Sequence, residues 1–422
     1  MLHKIDAKQI GPFGKPMEEA VRSCVHCGFC LAACPTYGEL GQELDTPRGR
    51  IVLMKEVLEG GLELEDALPH LDACLGCLAC EPACPSGVKY RNLISPFRAL
   101  ADKKRKRSLG EKLRRRMVAA TLPFAGRFRA VATLAKFAKP FAGLMPKSMR
   151  PMMELLPASL PGRQRLEERY EARGGRRAVV ALLAGCAQQV LEPDINAATI
   201  EVLTRNGVEV LVPRGQSCCG ALSWHVGDQG AAQKFARQNL AAFPQEVEAI
   251  ITNAAGCGSG MHEYPLILAG TADEERAAEF AKRVMDVSVF LAKLGDLEEI
   301  PNSGKEVTVA YHDACHLSNG QGVRSEPRRL LKSIPGVTLV ELRNGHLCCG
   351  SAGTYNLDQP EIASSLGEQK AKAAADTGAT VVASGNIGCL TQIGMHLARR
   401  GAPVRIRHTV QVLRDAWRGS TL

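Results

Sequence analysis

Two short runs carry the most chemistry in this chain: Cys24-x2-Cys27-x2-Cys30-x3-Cys34-Pro35 and Cys74-x2-Cys77-x2-Cys80-x3-Cys84-Pro85. Three thiolates at two-residue intervals let the backbone curl around one metal cubane, and C-x2-C-x2-C-x3-C-P is the spacing of bacterial iron–sulfur ligation. In two-cluster ferredoxins the fourth cysteine of each run ligates the other cluster. We therefore expect Cys24, Cys27, Cys30 and Cys84 to hold one [4Fe-4S] cluster, and Cys74, Cys77, Cys80 and Cys34 to hold a second. Zinc is the competing reading, but zinc knuckles lack the third cysteine and the trailing proline. Gly28, Ala32, Ala33, Gly76, Ala79 and Ala83 leave room for a cluster and let backbone N–H groups approach its sulfurs. His26 lies inside the first run, where four cysteines already complete the set, so it is expected at the surface or in support.

Eight further cysteines fall into two matching sets, Cys186, Cys218, Cys219 and Cys257 against Cys315, Cys348, Cys349 and Cys389. The triplets Cys218-Cys219-Gly220 and Cys348-Cys349-Gly350 anchor the repeat. Adjacent thiols cannot easily join each other but can face one metal centre, and the glycine permits close backbone approach. Each set should converge at the carboxyl edge of a sheet, where open α/β folds place their sites. These eight residues are a candidate additional metal or cluster site. The second set is the stronger candidate, because His312, His316 and His346 flank it while His225 alone follows the first triplet.

The elements that must position these residues follow from hydrophobic periodicity. Strands are expected at 177–184, 208–212 and 249–253, with helices at 193–205 and 229–242 between them. The order then recurs as 307–312, 325–333, 338–342, 360–376 and 380–384, which implies a duplicated α/β unit. Between the first two cysteine runs, Thr46 as N-cap and Pro47 in the first turn predict a helix reaching Leu58, packed between the clusters. Arg48 and Arg50 on it are placed either in solvent or toward cluster sulfurs or partner carboxylates. The fold class is α+β multidomain. We divide it into an α-helical ferredoxin-like domain (1–97), a basic helical connector (98–175) and two cysteine-rich α/β domains (176–300 and 301–422). Prolines 123, 140, 146, 151, 157 and 161 suggest short helices joined by turns in the connector.

Composition bounds the rest. The 422 residues carry a net charge of +9, concentrated at residues 103–107 and 114–116, which points to an acidic surface nearby. No apolar run approaches the roughly 18 residues of a membrane helix. Residues 1–13 show no secretory pattern, so a cytoplasmic location is expected, where 16 cysteines are read as metal or redox ligands rather than disulfides. No dinucleotide, phosphate-loop or nucleophile-elbow motif is present, so the chain shows no substrate-oxidising machinery of its own.

The chain resembles the iron–sulfur subunits of bacterial glycolate oxidases (glycolate dehydrogenases). The likeness rests on 24–30, 47–51, Cys84-Pro85-Ser86-Gly87-Val88, the stretch 346–355 containing Cys348-Cys349-Gly350, and Asn386-Ile387-Gly388-Cys389. It implies a helical two-cluster domain followed by two cysteine-rich domains of the heterodisulfide-reductase kind. It also implies a complex that oxidises glycolate to glyoxylate, with FAD on flavin-binding partner subunits and electrons passing to a membrane quinone pool or another acceptor. The protein would then sit peripherally on the inner face of the cell membrane. Related subunits serve lactate and anaerobic glycerol-3-phosphate oxidation. Where the heterodisulfide-reductase domains close with C-x2-C, this chain has Gly260 and Gln392. A metal-containing nucleic-acid-binding protein is the alternative of another class, but the basic connector has only Phe124 and Phe128 for base stacking, so no nucleic-acid partner is expected.

Overall fold

The computed structural model describes residues 1–138, 156, 157 and 159–420. The helix between the first two cysteine runs is Pro47–Glu59. Thr46 Oγ1 accepts from the Gly49 N–H at 3.0 Å, and the helix ends at Gly60 in the left-handed region. Its inward face carries Ile51, Leu53 and Met54 against Met17 and Val21 of helix Gly14–Ser23, Leu71 of helix Leu64–Asp72, and Leu93, Ile94 and Phe97 of helix Arg91–Lys104. Burial of each such side chain contributes about 1.5–3 kcal/mol, which holds the two cysteine loops on a common helical base.

Among the described residues, nine strands follow in two sheets. The first holds β1 (Arg169–Tyr170), β2 (Ala178–Leu182), β3 (Val208–Leu211), β4 (Ala249–Thr252) and β5 (Val284–Asp286), in the order β1-β3-β2-β4-β5. The second holds β6 (Val307–Tyr311), β7 (Val337–Glu341), β8 (Val381–Ser384) and β9 (Arg405–His408), in the order β7-β6-β8-β9. All pairs are parallel except β1 with β3. The order β3-β2-β4-β5 is that of β7-β6-β8-β9, so the duplicated α/β unit expected from the sequence is present. Its central strands are buried, as crossover helices on both faces require.

The repeat reaches the cysteines. Cys186, Cys218 and Cys257 lie four, seven and five residues past the ends of β2, β3 and β4, and Cys315, Cys348 and Cys389 keep the same offsets past β6, β7 and β8. The two units share a core that joins Val180, Leu182 and Val210 to Val309, Tyr311 and Val381. The Ala255 N–H donates to the Gly385 carbonyl at 3.0 Å across them.

Three features differ from the sequence reading. Helix Arg91–Lys104 runs continuously across residue 97, because its buried face carries Leu93, Ile94, Phe97 and Ala101 on both sides of that point. The connector holds two helices of ordinary length, Leu109–Thr121 and Ala125–Ala138, with Pro123 between them, and its last residues supply β1. Pro140, Pro146 and Pro151 lie outside the described residues. Strands β5 and β9 were not expected, since Val-Met-Asp is too short to alternate and Arg405-Ile-Arg-His408 is too charged to read as a parallel strand.

Candidate metal centres

Two cavities open where the N-terminal cysteine loops meet. One, of about 410 Å³, is lined by Cys24, Cys27, Cys30 and Cys84, with Cys80 on its wall. The other, of about 320 Å³, is lined by Cys74, Cys77, Cys80 and Cys34. Each cavity thus takes three cysteines from one run and the last cysteine of the other. The loops reach this shape through paired left-handed residues on either side of the second cysteine: His26 (φ 57°) and Gly28 in the first, Gly76 and Leu78 (φ 59°) in the second. Such turns gather successive N–H groups into a concavity that favours anions. Burial raises Cys24, lifts Cys30 to about 11 and pushes Cys77 and Cys80 well above the ordinary thiol range. Four soft sulfur donors around one cavity, disfavoured as bare thiolates, form a donor set that suits an iron–sulfur cluster.

The second cavity is electropositive. Arg50 is buried, in contrast to the solvated alternative for a first-turn arginine. Its guanidinium reaches the His70 carbonyl at 2.7 Å, Thr36 Oγ1 at 2.9 Å, Asp45 at 3.4 Å and Cys34 Sγ at 3.8 Å. Burial by itself raises Cys74, yet Arg50, Arg98, the Gly76 N–H and Tyr90 together hold it below its usual value. Arg48 stays at the rim, bonded to the His26 carbonyl at 3.0 Å and paired with Glu43. Sequence reasoning missed Arg98, which donates to the Cys74 carbonyl at 2.6 Å, and Arg91, which clamps Glu81 and reaches the Gly320 carbonyl at 2.9 Å. Arginines at 91, 98 and 105 mark one helical face, and that spacing is a signal the sequence offered.

In the cysteine-rich units each glycine of the triplets has positive φ, +80° at Gly220 and +84° at Gly350. A Cβ at Gly350 would lie 2.6 Å from the Ala363 carbonyl oxygen, so only glycine admits the helix that backs the thiols. In the second unit Cys315 Sγ lies 3.8 Å from Cys348 Sγ, and Cys349 Sγ lies 3.4 Å from Cys389 Sγ. In the first unit Cys186, Cys218, Cys219 and Cys257 interact in the same succession. Gly260 and Gln392 are built into the packing. A Cβ on Gly260 would fall 2.4 Å from that of Ala221, and Gln392 Nε2 donates to the Ala363 carbonyl. The histidines separate. His312 is buried with a ring nitrogen within 4.8 Å of the Cys349 and Cys389 sulfurs, His316 lies against His225 with ring centroids 5.1 Å apart and the rings tilted by 41°, and His346 is exposed. Burial, then Lys370, holds His312 well below its ordinary pKa, and burial brings His316 to about 3.

The basic segment is partly consumed within the fold. Arg105 pairs with Asp72, Arg107 with Asp102 and Glu111, Arg114 with Asp358, and Arg115 with Asp102. Lys103, Lys104, Lys106, Lys112 and Arg116 are exposed. Among the described residues no helix is long and apolar enough to cross a membrane.

Comparison with known proteins agrees with this layout. Residues 20–88 match a 4Fe-4S dicluster domain, and residues 180–262 and 309–394 each match a cysteine-rich domain. The chain is 36% identical to the probable glycolate oxidase iron-sulfur subunit of Bacillus subtilis, over 97% of this chain and 98% of that one. It is 37% identical to the glycolate oxidase iron-sulfur subunit of Escherichia coli, over 94% and 95%. Lactate utilization protein A of Oceanobacillus iheyensis is 31% identical, over 56% of this chain and 96% of its own.

Proposed function

Since this chain belongs to the family of glycolate oxidase iron-sulfur subunits, we propose that it carries electrons between flavin-bearing partner subunits, where glycolate becomes glyoxylate, and an acceptor at the membrane. The observation that carries this reading is the pair of adjacent cavities, each lined by three cysteines of one run and the last of the other. In it, Cys24, Cys27, Cys30 and Cys84 hold one [4Fe-4S] cluster and Cys74, Cys77, Cys80 and Cys34 the other. When bound, such clusters supply reversible one-electron transfer. The chain's own residues set the terms. Cys27 is exposed between Val25 (64% exposed) and Phe29 (67% exposed), so the first cavity faces a surface that a partner can approach. Arg50 and Arg98 bring positive charge to the second cavity and favour added electron density there. Glycolate as the substrate of the complex is supported by the two full-length relatives.

The test is composition and turnover together. Anaerobically purified protein is expected to hold about eight iron and eight acid-labile sulfur, as two cubanes require. Cys84→Ser should alter the spectrum of the cluster held by Cys24, Cys27 and Cys30, and spare that of its sequence neighbours. Zinc in place of iron would defeat the cluster assignment. With its partners, the complex should reduce a dye acceptor with glycolate in preference to lactate or glycerol-3-phosphate, and turnover with glycerol-3-phosphate alone would overturn the substrate.

A further inference from the structure

The two N-terminal cavities share a wall, because Pro47, Cys80 and Tyr90 line both of them. Tyr90 stands at the start of helix Arg91–Lys104 and is 3% exposed. Its carbonyl accepts from the Leu93 and Ile94 N–H groups at 3.0 and 2.9 Å, which fixes the backbone that carries the ring. Its hydroxyl lies 3.7 Å from Cys74 Sγ, and among the described residues that sulfur is its partner. A buried phenol with nothing to donate to is destabilising relative to phenylalanine, so the hydroxyl at this position answers to the sulfur. An iron-bound thiolate carries no proton, which leaves the tyrosine as the donor. The two runs are alike up to this point and then part. Cys24 and Cys74 each receive the N–H two residues on, from His26 and from Gly76. Cys74 adds the tyrosine hydroxyl, whereas the Cys24 sulfur has no hydroxyl partner among the described residues. The second cavity is also the inner one: Cys27 of the first is exposed, while Leu75 and Cys77 of the second pack with Cys315 and Cys348.

We propose that Tyr90 sets the order of the two clusters: as a positioning residue that donates to the Cys74 sulfur, it lifts the reduction potential of the inner cluster above that of the outer one, so that electrons arriving at the exposed side run inward. The inference rests on the two-cluster reading above. A hydrogen bond donated to a ligand sulfur strengthens as negative charge is added, so it favours the reduced state, and such bonds are one of the protein's levers on cluster potential. One electron leaves the outer cluster, which is oxidised, and reduces the inner one. The hydroxyl proton stays on the Tyr90 oxygen, so no proton need accompany the electron. Arg50 acts in the same sense through its charge. Tyr90 acts through a single bond, which phenylalanine removes while keeping the ring in the shared wall and leaving the charge of the site unchanged.

The experiment is a redox titration, followed by electron paramagnetic resonance, of the anaerobically purified full-length chain as wild type, Tyr90→Phe and Tyr355→Phe, with iron and sulfide measured on each. Cys84→Ser identifies the signal of the outer cluster. In the wild type the inner cluster is expected to be reduced first. Tyr90→Phe should move its midpoint negative and leave the outer midpoint in place, with wild-type iron, sulfide and far-ultraviolet circular dichroism. Loss of one hydrogen bond to a charged sulfur lowers the equilibrium constant for outer-to-inner transfer about tenfold, a shift of about 59 mV for one electron. Tyr355→Phe removes another buried hydroxyl bond beside the same loop, made to the Ala73 carbonyl at 2.7 Å rather than to a sulfur, and should leave both midpoints where they were. An inner midpoint at or below the outer one in the wild type would overturn the proposal. So would an inner midpoint that stays put or moves positive in Tyr90→Phe, loss of iron from that variant, or an equal negative shift in Tyr355→Phe. A wild-type chain lacking about eight iron and eight sulfide would overturn the two-cluster reading and this proposal with it, an outcome seen before any titration and so distinct from the others.

Discussion

Arg50 shows how one side chain links the helical base to redox chemistry. Its guanidinium is fixed by Thr36, Asp45 and His70, and it lies 3.8 Å from Cys34 Sγ. A fixed positive charge favours the more negative, reduced state of anything bound among those thiolates, and charge is one of the levers that set cluster potentials. Arg50→Gln retains hydrogen-bonding capacity and removes the charge. The cluster assigned to Cys34, Cys74, Cys77 and Cys80 should become harder to reduce, its midpoint moving negative in a spectroscopically monitored redox titration, while that of Cys24, Cys27, Cys30 and Cys84 stays in place. A positive shift, or equal shifts in both, would contradict this role. The Thr46-Pro47 helix start was legible from the sequence, as was the presence of Arg50 beside the cysteine runs. Its burial was not, because the groups that hold it come from three segments whose convergence no local pattern reveals.

At the level of elements, the alternation of strands and helices was readable because parallel strands buried on both faces are near-continuous apolar runs, such as Val179 to Leu182 and Val309 to Tyr311. Edge strands escaped that logic. Strand β5 ends in Asp286, whose carboxylate also caps helix Val287–Leu294 by accepting from the Ser288 N–H at 2.8 Å. Burial raises this group from 3.8 to about 6. The folded state therefore binds the proton more tightly than the unfolded one, so the stability it contributes is fullest below 3.8 and declines as pH rises toward about 6. Asp286→Asn keeps an acceptor for Ser288 and cannot ionise. Its stability relative to wild type should improve by about 1 kcal/mol between about pH 5 and about pH 7.5, read from denaturant midpoints. A constant difference across that range would show that the carboxyl does not titrate as its burial dictates.

For the whole molecule, the relation between the helical domain and the two α/β units decides which surfaces remain free, and this was the part least legible in the sequence. Residues 103–107 and 114–116 read as one basic patch. In the folded chain Arg105, Arg107, Arg114 and Arg115 turn inward to Asp72, Asp102, Glu111 and Asp358, stitching helix Leu109–Thr121 to the helical domain and to the second unit. What faces solvent is Lys103, Lys104, Lys106, Lys112 and Arg116, beside Leu109 and Leu113, which are 83% and 70% exposed. Basic residues near an anionic leaflet contribute about 1 kcal/mol each within a Debye length, so five supply about 5 kcal/mol at low salt, and apolar side chains on the same helix can enter the headgroup region. The chain is expected to co-sediment with phosphatidylglycerol vesicles at low ionic strength and to be released by salt. Replacing Lys103, Lys104 and Lys106 with Glu should abolish that binding without changing iron content. Leu109→Ser with Leu113→Ser should weaken it while leaving its salt dependence. Binding that persists in high salt and survives the Glu replacements would mean that another surface of the chain meets the lipid and that this basic face is simply solvated.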